Sequence, residues 1–307
     1  MTATRNATAL ASLAAAGVAV VIALSLVPVW PLELFEHFRA QYLVISVVVV
    51  VACAALRVRG FFDTALIAAL VNLALLVTGM RPARDIPAGT PVRVLLLNVH
   101  TSSSSFADVR ALIADTNADL VALVEVDRRW LDALAPALTA YAPLEHPRDD
   151  NFGLALYARG SLTGEAAALG TQLPSLVARA TTISGTSLGI VLTHPLPPVS
   201  SRASTDLTAH LVAVAHAARA AGDPVIVLGD FNTTPWSRPF ATLLATSGLC
   251  DTRDGFGLQA TFPSSLALAR IPIDHVLTSC AIGVRDRRVE RDVGSDHLPV
   301  VVDLVVP

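Results

Sequence analysis

Apolar positions crowd the first eighty residues in three long runs, 9–30, 42–56 and 61–80, then break into shorter runs separated by polar turns. Each long run approaches the roughly 20 residues that cross a bilayer as a helix. The second is short and the third carries Asp63 near its start, which pairs them as a helical hairpin. A cleaved signal peptide fits the first run less well, because no clear small-residue cleavage site follows it and more membrane-length sequence does. The arginines suggest an orientation. Arg5 precedes the first run, Glu33 and Glu36 outnumber Arg39 in the next loop, and Arg57 and Arg59 fill the tight turn "RVRG". Cationic loops stay in the cytoplasm, so everything after Met80 is expected outside, with Arg81 and Arg84 running against that order. Residues 1–80 therefore read as a transmembrane region, 81–91 ("RPARDIPAGTP") as a Pro/Gly-rich linker, and 92–307 as one further domain.

Within that domain the period changes. "VRVLLLN" predicts a strand ending at Asn98, "FADVRALIADT" a helix, "ADLVALVEV" a buried strand ending at Glu125, and "RRWLDALAPAL" a second helix. "FGLALYA" follows as a strand, then a turn-rich middle, then "TSLGIVLTH" as a strand ending at His194. The segment "TDLTAHLVAVAHAARAAG" spaces Leu207, Leu211, Val214 and Ala218 along one helical face. "PVIVLGD" predicts a buried strand ending at Asp230, and "IDHVLT" and "LPVVVDLVV" are late strands. Apolar strands interleaved with amphipathic helices imply a layered α/β domain. His210 and His216 are expected at the surface or boundary of the long helix, Trp236 in packing, and His275 in a structural role.

Composition narrows the partners. The chain has no lysine, and from residue 91 onward it carries 16 Arg against 21 Asp plus Glu, a net acidic balance of five. Duplex-binding surfaces present clustered cations to phosphates, and only "RDRRVER" (285–291) is cationic here; it is read as a solvated turn or strand edge. Cys53 falls in the second apolar run. Cys250 and Cys280 either pair or remain buried thiols, and neither stands at metal-ligand spacing.

Polar residues gather where the apolar runs stop. Asn98, Glu125, His194, Asp230 and Asn232 lie at or just past strand ends, and Asp274, Asp296 and His297 lie at the starts of others. One such residue alone is usually a turn or cap. Eight suggest a shared site, one suited to hydrolysis of a phosphate ester or anhydride. A hard cation such as Mg2+, or Mn2+, takes oxygen ligands and keeps several waters, so few side chains suffice. A carboxylate can activate water, and an imidazole held by a carboxylate can donate to developing charge.

The segments "LLLNVH", "DLVALVEV", "NFGLALYAR", "LTHP", "VIVLGDFNTTPWS", "IPIDHVL" and "GSDHLPVVVDL" resemble, in order, the motifs of the endonuclease/exonuclease/phosphatase superfamily over roughly residues 92–306. "GDFN" and "SDH" are the most specific. The resemblance implies a DNase-I-like, four-layer αββα sandwich, here expected to follow the bundle of about three transmembrane helices read from the apolar runs. It implies Asn98 and Glu125 as metal ligands, with Asp296 completing or adjoining the site. It further implies Asp230 and Asn232 as groups handling water and phosphate, His194 as a phosphate contact or proton donor, and a functional pair in Asp274 and His297. Two positions depart from the pattern: His100, where many relatives have asparagine, and Ala158, where serine is common. The domain is also short for the superfamily, which implies trimmed loops and less surface for gripping duplex DNA.

The layout of three spans followed by this domain also resembles bacterial membrane proteins linked to glycopeptide resistance. That resemblance implies a lipid bilayer and a phosphorylated lipid, such as a polyprenyl pyrophosphate, as partners in preference to nucleic acid; no protein partner is implied. A tethered extracytoplasmic nuclease and a non-catalytic membrane-binding module stand as the alternatives.

Overall fold

Long apolar runs in this chain take two forms, helices that bury one stripe and strands covered on both faces. In the computed structural model, which describes residues 2–307, the first unit (residues 1–81) contains helices α1 (Thr2–Leu24), α2 (Arg39–Ala55) and α3 (Arg59–Thr78), with a 3-10 turn at Leu32–Phe38 before α2. Three stretches, Thr4–Leu24, Leu32–Ala55 and Arg59–Thr78, are long and apolar enough to cross a membrane. Ala11, Ala15, Val49, Cys53 and Ala65 pack where the helices meet, small residues allowing close approach. Larger apolar side chains, including Leu10, Val44 and Ile67, face outward.

The second unit begins at Pro82. Residues 82–89, expected as a linker, belong with it: a side chain at Gly89 would strike the Val306 carbonyl, and one at Gly283 would strike Pro87. In chain order its elements are β1 (Thr90–Asn98), α4 (Phe106–Thr116), β2 (Leu120–Val124), α5 (Arg128–Leu134), β3 (Ala142–His146), β4 (Leu154–Ala158), β5 (Gly160–Ala168), β6 (Pro174–Thr182), β7 (Ser187–Thr193), α6 (Ser201–Ala221), β8 (Val225–Asp230), α7 (Arg238–Ser247), β9 (Cys250–Asp251), β10 (Asp274–Thr278), β11 (Gly283–Val289) and β12 (Val300–Val306).

The strands form two six-stranded sheets, ordered β11-β12-β1-β2-β4-β3 and β5-β6-β7-β8-β10-β9. Each sheet has one parallel pair, β1–β2 joined through α4 and β7–β8 joined through α6. Alternation along the strands builds the layers. Val94 and Leu96 of β1 enter a core shared with Leu188, Ile190 and Leu228 of the other sheet, whereas Leu95 and Leu97 pack with Val109, Leu112 and Trp130 from α4 and α5. On the opposite flank, Val191 and Val227 pack with Leu207, Leu211 and Val214 of α6. Helix, sheet, sheet, helix is the DNase-I-like α/β arrangement, and double coverage is why these strands read as continuous apolar runs.

Three sequence expectations change. The turn-rich middle holds the β5–β6 hairpin, whose outer strand is mostly exposed and carries Ala, Gly and Glu instead of an alternating apolar face. The arginine-rich segment is β11, an edge strand as one of its two readings had it, but Arg287 turns inward and is buried, where it donates to Thr252 Oγ1 and the Asp274 carbonyl at 3.2 Å each. His210 is buried too, because Thr171, Ser175 and Thr193 surround it with hydroxyl partners at 2.8, 3.2 and 2.7 Å. Between the two readings left open for the outer cysteines, the structure has Cys250 and Cys280 joined as a disulfide.

Candidate active site

Parallel pairing delivers the first polar groups. β1 and β2 run the same way and end together, Asn98 opposite Val124, so Asn98 and Glu125 leave one sheet side by side. β7 and β8 do the same in the other sheet and end at Thr193 and Asp230, with His194 the next residue after β7. Antiparallel β10 starts where β8 stops, setting Asp274 directly across from Asp230. The loop before β12 supplies Asp296 and His297; the strand itself begins only at Val300. Ser295 ties that loop down, its hydroxyl donating to the Asn98 carbonyl at 2.7 Å and accepting from the His297 amide at 3.1 Å. Carboxyl ends of parallel strands are a common place for ligands in α/β sheets.

The side chains form one network. Asn98 Nδ2 donates to Glu125 Oε1 at 2.8 Å and to Asp230 Oδ2 at 3.1 Å, which joins the two sheets. Its Oδ1 accepts from the His100 amide at 2.9 Å. His194 Nδ1 lies 3.0 Å from the Asp230 carbonyl, and its Nε2 lies 3.5 Å from Glu125 Oε1. His297 Nδ1 is 2.8 Å from Asp274 Oδ2, with Nε2 3.6 Å from Asp230 Oδ2. The Asn232 amide donates to Asp230 Oδ1 at 2.9 Å, while its side chain donates to the Pro195 carbonyl at 3.0 Å. Glu125, His100 and Asn232 all adopt positive φ (62°, 57° and 50°), a region that non-glycine residues seldom enter and that is enriched at functional sites.

Burial and charge oppose each other throughout. Burial alone would raise the Glu125 pKa, but the His194 contact, the Asn98 amide and the Thr101 N–H outweigh it and hold the carboxyl below its usual range. Burial likewise would lower His194, yet Asp230 and Glu125 raise it. His297, desolvated but facing Asp274 and Asp230, is pushed up to about 10. Asp230 is itself raised, by burial first and by Asp274 across the strand pair, against the pull of both imidazoles.

These groups fit a divalent cation. Glu125, His194 and Asp230 each place a ligand atom within 4.8 Å of the others, and so do Asp230, Asp274 and His297. Glu125 Oε2 accepts a long 3.4 Å bond from the Thr101 amide, and Asp274 Oδ1 is buried with no hydrogen-bond partner among the described residues. Oxygen-rich sets of this kind suit hard ions. Asn98 as placed bridges Glu125 and Asp230, so acting as a ligand would require it to turn its amide. Asp296 stands at the rim, 3.5 Å from His100 Nδ1, and lines the same cavity.

That cavity, about 500 Å³, is lined by Glu125, His194, Asp230, Asn232, Asp296 and His297 together with an apolar side made of Phe152, Pro197, Phe262 and Ile273. Phe152 stacks near His194 and Phe262 near His297, with ring centroids 5.4 and 4.7 Å apart. Ser295, Phe152 and Phe262 were not singled out by sequence reasoning. The first two lie inside motifs already noted, "GSDH" and "NFG", so their proximity to the polar residues was a usable signal; Phe262 had none.

A family model for the Endonuclease/Exonuclease/phosphatase family matches residues 95–297. Sequence comparison with curated proteins gives no match. Among solved structures, an endonuclease/exonuclease/phosphatase from Bacteroides vulgatus is similar at 19% identity and TM-score 0.59, over 71% of this chain and 100% of that one. A mannosyl-6-phosphatase from Bacteroides thetaiotaomicron is similar at 18% and 0.58, over 70% of this chain and 99% of the other. D. rerio TDP2, complexed with a single-strand DNA product, is similar at 19% and 0.58 with the same coverage.

Proposed function

Because the chain belongs to the endonuclease/exonuclease/phosphatase family of metal-dependent phosphoester hydrolases, we propose that it hydrolyses a phosphate ester or anhydride of a membrane lipid or its headgroup, a polyprenyl pyrophosphate being the leading candidate. One observation carries the catalytic part: Glu125, His194, Asp230 and His297 converge from both sheets on a single cavity, with Asp274 holding His297 from behind.

Glu125 would hold Mg2+ or Mn2+, with Asn98 and Asp296 alongside, and the bound ion would neutralise phosphoryl oxygens. Asp230 is the base for the attacking water. The Asn232 amide fixes one of its oxygens and leaves the other facing both imidazoles. His297 stays protonated because Asp274 grips its Nδ1, leaving Nε2 as a charged donor toward the cavity. His194, beside Glu125 and Asp230, is the second imidazole donor at the same cavity.

Three features support the lipid reading: the membrane-length helices, the apolar side of the cavity, and the lysine-free, net acidic second unit. The Cys250–Cys280 bridge supports an extracytoplasmic location, since cytosolic thiols are kept reduced. Full-length protein assayed against polyprenyl pyrophosphate, phospholipids, sugar phosphates and nucleic acids, with and without Mg2+, tests the proposal. The expected result is cation-dependent turnover of a lipid phosphate that falls about 10²–10⁴-fold in Asp230→Ala. Faster turnover of DNA or RNA would favour the nuclease reading, and undiminished activity in the variant would refute the assigned site.

A further inference from the structure

Two uncharged loops flank the mouth of the cavity, whose remaining rim holds Asp150 and Asn151. The first, "PLPPVSS" (195–201), follows His194; Pro197 lines the cavity and Val199 beyond it is 73% exposed. The second, "FPSSLALA" (262–269), starts with the cavity residue Phe262 and carries Leu266 and Leu268 at its tip, 55% and 87% exposed. Singly exposed apolar residues are ordinary. Here three of the five large ones exposed between residues 183 and 307 sit on the two loops of one mouth.

The loops are held, so a fixed backbone presents their tips. Phe262 and Ile271 pair across the base of the second loop. Ser264 donates to the Asp296 and Ser295 carbonyls at 2.7 Å each, and Arg270 closes back on the Ser264 carbonyl. Pro195, at the base of the first, accepts from Asn232. Both loops are thus fastened to the catalytic residues, while the leucines and valine project outward.

We propose that these loops dock the second unit on a lipid bilayer, with Val199, Leu266 and Leu268 entering the interface and the cavity opening onto the lipid headgroups. Loops without charge lose little on entering that interface, where apolar side chains sit about 5–10 Å deep. Arg202, almost fully exposed just past the first loop and paired at 3.7 Å with Asp206, is a cation that headgroup phosphates can share. Chain length argues for the same occupant. α3 ends at Thr78 and the second unit begins at Pro82, so a few residues of at most about 3.6 Å each join a membrane-length helix to the unit. The inference rests on the lipid reading above for its substrate, while the docking rests on the loops.

The molecule contains its own control. Ile183, 80% exposed, lies in the β6–β7 turn, at the end of β7 opposite His194. Full-length Val199→Cys, Leu268→Cys and Ile183→Cys proteins, each carrying an environment-sensitive fluorophore, are reconstituted into phosphatidylcholine vesicles with a minority of phosphatidylglycerol. Lipids spin-labelled near the headgroup serve as quenchers, and the unsubstituted chain is the labelling blank. The expected result is at least about threefold more lipid quenching at 199 and 268 than at 183, given the shallow depth of interfacial side chains. Equal quenching at all three positions overturns the proposal, as does a blue shift at 268 without lipid quenching, which would indicate a protein partner. Immersed loops with no lipid-phosphate turnover would leave the docking standing and refute the substrate; turnover with loops in water would do the reverse.

Discussion

Gly229→Ala tests how the second sheet aims its catalytic ends. Gly229 immediately precedes Asp230 and has φ 145°, and a Cβ there would run into the Thr193 carbonyl of the neighbouring parallel strand. Two costs add. A backbone region that is glycine's own costs another residue about 1–3 kcal/mol, and forcing a methyl into packed structure costs about 1–3 kcal/mol. A stiffer unfolded chain returns about 0.4–1 kcal/mol. A net loss of about 3 kcal/mol is expected from these terms. At about 2–4 °C per kcal/mol for a unit of this size, the melting transition of the second unit should fall by about 10 °C, followed by near-ultraviolet circular dichroism of the detergent-solubilised chain. Gly222→Ala separates the two costs, because Gly222 also has positive φ, 72°, but nothing within 4 Å of its Cβ position. It should lose about 1 kcal/mol, the backbone cost less the unfolded-chain return. The clash also lies between the residues preceding His194 and Asp230, so activity should fall further than the folded fraction explains. A Gly229→Ala protein that melts no lower than Gly222→Ala would refute the reasoning.

Burial lowers the His210 pKa to about 4, so between that value and its unfolded value near 6.5 the unfolded chain binds more protons. Stability should therefore fall as pH drops through that window, by about 3 kcal/mol from this residue, and His210→Gln should flatten the dependence of melting temperature on pH; an unchanged slope would contradict the burial. Reducing the Cys250–Cys280 bridge, which spans 30 residues, should cost about 3–4 kcal/mol on the loop-entropy model, seen as a lower melting temperature in dithiothreitol and absent in Cys250→Ser/Cys280→Ser. Glu125→Gln should weaken Mg2+ binding in calorimetric titration by at least about tenfold, while a normal affinity in that variant and a lost one in Asp274→Asn would move the ion to the second group of ligands.

The layered α/β plan was legible in the sequence wherever strands are buried on both faces. "VLLLN", "LVALVEV" and "VIVLGD" carry enough apolar residues to serve the inter-sheet core and a helix at once. β5 was not legible, because an exposed edge strand needs no apolar alternation, and its pairing with β6 comes from the chain's return. His210 was misjudged for a related reason. Helical periodicity places it beside Leu211, but only the fold reveals the three hydroxyls that satisfy both its ring nitrogens. The site residues could be named from motifs and strand ends, whereas their division of labour could not. That Asn98 spans the two sheets depends on how the sheets meet, and no local pattern encodes it.

Charge gives the strongest physical reason for a cation here. Glu125, Asp230 and Asp274 are three buried carboxylates facing two buried imidazoles, His194 and His297. Even with both rings protonated, these five groups leave one negative charge, offset from the Asp274 side by the buried Arg287, and carboxylates crowded together out of water are costly to keep ionised. The present groups respond by shifting protons: Asp230 is raised and both histidines are raised with it. A divalent cation resolves the imbalance differently, turning the cluster from net negative to net positive, as a phosphate substrate requires. It also removes the reason for Asp230 to hold a proton, since a nearby positive charge favours the carboxylate. Loading should then release protons, and potentiometric titration of the full chain should detect that release on adding Mg2+ at constant pH. No release at any pH between about 5 and 8, where charge changes of histidines and raised carboxylates fall, would mean that the cluster does not receive the ion.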